Sequence, residues 1–169
     1  MKVIHLISGG DTGGAKTHVH SLLQNLSRSI DVTLVCFRGG PFAEEAAALG
    51  IDTRVMDGGF FRALREVRAL IESGGYDIVH CHGSRANLAG ALLRRSTKKP
   101  VVSTVHSDYR LDYLGRPAAA LTYGKLNVFA LRHIKYHVGV SDAMRRLLIS
   151  RGFRRNDTFA IYNGIDFGR

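Results

Sequence analysis

The chain has 169 residues, enough for one domain with a substantial core and too few for two α/β domains. Its 45% hydrophobic content suits a globular protein, and no apolar run approaches the ~20 residues a membrane span needs. The formal net charge of +10 is uneven: residues 1–84 carry 8 Lys/Arg against 9 Asp/Glu, and residues 85–169 carry 16 against 5. The basic half implies either an anionic partner or a solvated basic surface.

Strand and helix patterns alternate along the whole chain. Val3–Ile7 is a short apolar run closed by Ser8-Gly9-Gly10; with a single Lys and no small-residue cleavage site, it reads as a first strand rather than a signal peptide. Ala15, Val19, Leu22, Leu23 and Leu26 share one face of a helix over 14–27. Val32–Phe37 is a β-branched strand, 42–49 a short Ala/Glu-rich helix and 51–56 a weaker strand. Phe61, Leu64, Val67 and Ile71 mark the next helix. Asp77–His82 is a strand, followed by a helix over 85–95 with Ser84 as its expected N-cap. Pro100–His106 is a strand that begins with Pro, where the missing N–H is harmless. A polar-aromatic stretch leads to a helix near 117–134. Then come a strand at Tyr136–Val140, a helix capped by Ser141 and stopped by Gly152, and a last strand over 158–162. Such alternation, with unalternating apolar strands, predicts an α/β fold: a Rossmann-like parallel sheet with helices on both faces. Ligands of such sheets bind outside the carboxyl ends of the strands. Cys36 and Cys81 lie within strands and form no disulfide framework, so a reducing, cytoplasmic setting is expected.

The loop Ser8-Gly9-Gly10-Asp11-Thr12-Gly13-Gly14 joins the first strand to the first helix. Gly13 and Gly14 at a helix start let backbone amides and the positive dipole end approach a phosphate. No G-x-G-x-x-G is present, and Ala15 between Gly14 and Lys16 rotates the lysine ~100° away from a P-loop geometry. His80 and His82 point to one face of their strand and Cys81 to the other. With no second ligand pair at zinc-like spacing, no metal is expected. His82 and His106 each end a strand at the ligand edge, and a neutral imidazole there hydrogen-bonds sugar hydroxyls. No G-x-S-x-G elbow supports a hydrolase. Tyr109, Tyr113 and Tyr123 lie among Arg110, Arg116 and Lys125, but no nucleic-acid-binding motif accompanies them, so no nucleic-acid partner is expected. The same mixture over 108–135 suits peripheral contact with an anionic inner leaflet.

Gly13-Gly14-Ala15, Asp77–Gly83, Val102–His106, Val138–Met144 and Ile161–Asp166, in that order, resemble the retaining family-four glycosyltransferases. That resemblance implies the N-terminal half of a two-domain GT-B fold, with residues 1–162 forming the acceptor-side domain. Residues 163–169 would begin the linker to a C-terminal donor domain. It implies transfer of a sugar from a nucleotide-sugar, as substrate rather than cofactor, to a small-molecule or lipid-linked acceptor. Gly13, Gly14 and His106 would face the donor, and Lys16, His82 and Ser107 the acceptor. No catalytic base is assigned to this half, and alone it is expected to be inactive. The alternative is a stand-alone nucleotide- or phospholigand-binding module.

Overall fold

The computed structural model describes residues 1–10, 14–108 and 124–162. Its elements run β1 Lys2–Ile7, α1 Gly14–Leu26, β2 Asp31–Cys36, α2 Pro41–Ala48, β3 Asp52–Val55, α3 Phe60–Gly74, β4 Ile78–His82, α4 Ser84–Thr97, β5 Val101–Val105, α5 Lys125–His133, β6 Tyr136–Gly139, α6 Asp142–Ser150 and β7 Thr158–Ala160. The seven strands form one sheet in the order β3-β2-β1-β4-β5-β6-β7, with every pairing parallel.

The core has a layer on each side of the sheet. Ile4, Leu6, Val35, Val79 and Cys81 pack against Ala63, Val67 and Ile71 of α3 and Ala86, Ala89 and Leu93 of α4. Ile7, Leu34 and Cys36 pack on the opposite side against Val19 and Leu23 of α1 and Phe42 and Ala46 of α2. Both faces of the inner strands are therefore buried, which is why their sequences run apolar without alternation. A third group, Val105, Leu131, Leu148 and Phe153, joins β5 to α5 and α6. Gly90 sets the seat of α4: a Cβ there would stand 2.4 Å from Cys81 Sγ and 2.9 Å from Val101 Cγ1.

Three sequence expectations shift. The buried face of α3 is carried by Ala63, Val67 and Ile71, while Phe61 is 81% exposed and Phe60 packs instead. Ser84 is the first residue of α4 rather than its cap: Gly83, at φ 81°, takes the cap position and no side chain caps that end. The last strand stops at Ala160. Ser141 does cap α6, its Oγ accepting from the Met144 N–H at 3.1 Å. Of the helix expected near 117–134, residues 117–123 lie outside the described residues, and α5 covers Lys125–His133.

Candidate functional site

The strand order reverses between β1 and β4, the crevice where open parallel sheets accept ligands. Ser8-Gly9-Gly10 leaves β1 at that point, with Gly9 at φ +88°. A Cβ on Gly9 would stand 2.2 Å from the Arg38 carbonyl oxygen, so the turn admits only glycine. Gly14 opens α1, putting the N-terminus of a thirteen-residue helix at the crevice. Gly13 lies outside the described residues. Lys16 lies two positions further on, and its Nζ is held by both carboxylate oxygens of Glu45 on α2 at 2.7 Å.

Register turns isolated histidines into an array. His5 pairs with His80 and Ile7 with His82 across β1 and β4, so the three imidazoles stand on one sheet face. His5 Nδ1 lies 3.1 Å from His82 Nε2. The His80 and His82 rings stack at 4.5 Å, and His80 Nε2 meets the Thr104 hydroxyl at 2.7 Å. His106, just beyond β5, stands 5.9 Å from His82, and His18 of α1 packs edge-on against His106 at 5.1 Å. His18 is four positions after Gly14, so both lie on one face of α1.

Burial governs the charge of this array. It pushes the pKa of His80 down to about 4, helped by the neighbouring His106 and His18, and does the same to His106 with His18 assisting. His5 and His82 fall well below the ordinary histidine value, first through burial and then through the other imidazoles. All four rings are neutral at pH 7, able to donate at one nitrogen and accept at the other. His5 Nε2, His82 Nδ1 and His106 Nε2 are buried with no partner among the described residues.

The assigned residues come together unevenly. Gly14, His82 and His106 converge on the crevice. His106 is partly exposed there, whereas His82 is 1% exposed and sits beneath the surface against His5. Ser107 is exposed beside His106. Next to it, both Asp108 carboxylate oxygens take guanidinium N–H groups of Arg151, tying the exit of β5 to the end of α6. His5 and His18 were not singled out in the sequence. Spacing from Gly14 could have flagged His18, whereas His5 required the β1–β4 register. Cys81 faces the α4 side as expected, and burial raises its thiol to about 12. The donor nitrogens of His5, His80 and His82 all lie within 4.8 Å of one another.

Residues 12–169 match the family model described as Glycosyltransferase Family 4. The chain belongs to glycosyltransferase family 4. No curated protein matches it in sequence. Among solved structures, this family-4 domain is similar to Anabaena HepE in complex with UDP-glucose, at TM-score 0.79 and 22% identity over 98% of this chain and 44% of that one. The apo lipopolysaccharide outer core galactosyltransferase WaaB gives TM-score 0.70 at 17% identity, over 98% of this chain and 46% of that one. Neisseria meningitidis UDP-GlcNAc 2-epimerase bound to UDP-GlcNAc gives 0.71 at 13%, over 96% and 47%. The chain thus spans about half the length of these neighbours, and the Rossmann-like parallel α/β sheet expected from its sequence is the one it has, matching domains of GT-B glycosyltransferases. Among the described residues, no helix is long and apolar enough to cross a membrane.

Proposed function

We propose that this family-4 domain forms the acceptor-side wall of a glycosyltransferase cleft, closed by a C-terminal donor domain that residues 163–169 lead into. The observation that carries this reading is the crevice between β1 and β4, where α1, opened by Gly14, sets His18 against the partly exposed His106. The family match supports sugar transfer, and the HepE neighbour's UDP-glucose supports a nucleotide-sugar donor.

In the reading we favour, the α1 amides with Gly13 and Gly14 stabilise the diphosphate as it leaves, and His106 hydrogen-bonds the donor sugar. Lys16, His82 and Ser107 serve the acceptor side, with His82 acting from beneath the surface. Transfer proceeds with retention through an oxocarbenium-like state, and the catalytic groups outside this domain complete the site. The acceptor is a small molecule or lipid-linked sugar, reached by peripheral contact with an anionic membrane through residues 108–135. The isolated domain is inactive.

The test is to express the complete natural reading frame, assay UDP-sugars against lipid and polyol acceptors, and read the product anomer by NMR. An anomer matching the donor supports the proposal. Robust turnover by the 169-residue chain alone would overturn the need for a second domain, and a reading frame that ends at Arg169 with no turnover would favour a self-contained phospholigand-binding module, a use the fold also allows.

A further inference from the structure

We propose that His5, His80 and His82 form a binding site for one borderline transition-metal ion, Zn²⁺ by preference. The sequence argued against a metal because Cys81 faces away and the His80–His82 strand offers only two ligands. The third ligand comes from the neighbouring strand, through the pairing of His5 with His80.

The spacing suits the ion. Zinc takes imidazole nitrogens at ≈ 2.0–2.1 Å in tetrahedral geometry, which places ligand nitrogens about 3.4 Å apart. His5 Nδ1 and His82 Nε2 already stand at 3.1 Å. All three donor nitrogens lie within 4.8 Å, so the remaining contraction falls on His80. His80 is only partly buried, and among the described residues its hydrogen bond is to the Thr104 hydroxyl. The facing nitrogens of His5 and His82 share a single hydrogen, which an ion between them would replace. Each ligating ring would then carry its N–H on the far nitrogen, His5 Nε2 or His82 Nδ1. An all-imidazole donor set selects zinc, copper or nickel over magnesium or calcium, which require oxygen ligands. Three protein ligands leave a fourth position open. This inference does not depend on the sugar-transfer reading.

The experiment is equilibrium dialysis of the chelator-treated chain against Zn²⁺, with Co²⁺ as an optical surrogate. One ion per chain is expected, with the intense visible bands of tetrahedral Co²⁺ and a higher Tm in saturating metal. His5→Ala and His80→Gln should each weaken binding at least about tenfold, and exposed His133→Ala should leave it unchanged. If His5→Ala fails to fold by circular dichroism, His80→Gln decides alone. Substoichiometric uptake, the faint spectrum of octahedral cobalt, unaltered affinity in His80→Gln, or loss of binding in His133→Ala would each overturn the proposal.

Discussion

His5 Nδ1 and His82 Nε2 meet at 3.1 Å although 77 residues separate them in the chain. One nitrogen must donate and the other accept, so the contact needs a free lone pair on the accepting ring. A second proton on the accepting ring would set N–H against N–H inside the sheet.

The metal-free domain should therefore lose stability in mild acid. Unfolded, each histidine titrates near 6.5; folded, His80 and His106 titrate at about 4 and His5 and His82 well below 6.5. The unfolded chain takes up protons that the native state refuses, so stability is full above pH 6.5 and falls as pH drops towards 4. His80 alone accounts for about 3 kcal/mol of that fall. Urea midpoints at pH 7.5, 5.5 and 4.5 should descend in order, and a flat series would contradict the assignment.

Gly9→Ala should cost about 2–4 kcal/mol, combining a left-handed backbone with a collision against the Arg38 carbonyl. Gly10→Ala meets nothing within 4 Å of its new Cβ and serves as the control. Equal denaturation midpoints for the two would show that the turn can relax.

Asn87 joins three segments: its Oδ1 accepts from the Ser103 hydroxyl at 2.7 Å and its Nδ2 donates to Asn127 Oδ1 at 3.0 Å. Asn87→Leu leaves both partners buried without this contact and should cost about 2–5 kcal/mol. Adding Ser103→Ala should recover part of the loss, measurable as a double-mutant cycle. Strict additivity would mean that the network is not coupled.

If the cleft reading is right, His106→Ala in the full-length enzyme lowers turnover at least ~10-fold, equivalent to about 1.4 kcal/mol of lost transition-state contact, with little change in Tm. Gly14→Val should cripple turnover with the fold intact. Normal specific activity in either variant would remove that residue from the site.

The architecture was legible because inner strands such as Val32–Phe37 are buried on both faces and read as unbroken apolar runs. Their succession along the chain and the helix start at Gly14 followed from the glycine and serine punctuation; their order in the sheet did not. Phe61 misled because a large aromatic at helical spacing resembles core, while the buried contact is made by small Ala63 on the other side of the helix. Ser84 misled because Gly83, at positive φ, already turns the chain into the helix. Period-2 alternation placed His80 and His82 on one face, but His5 joined them only through β1–β4 pairing, a relationship no local pattern encodes. The burial of His82 was equally hidden: a residue at a strand end can still be covered by its neighbours.

The 3-2-1-4 strand order also has a consequence in time. On the ribosome, β1 can pair with β2 early, but its other edge waits for β4. His82 follows His5 by 77 residues, so at 5–20 residues per second that edge remains open for about 4–15 s. Throughout that interval the nascent chain offers a bare apolar strand to any other strand nearby. The stretch around His5 is therefore where a chaperone would be most needed during synthesis, and where overexpression should first produce aggregates.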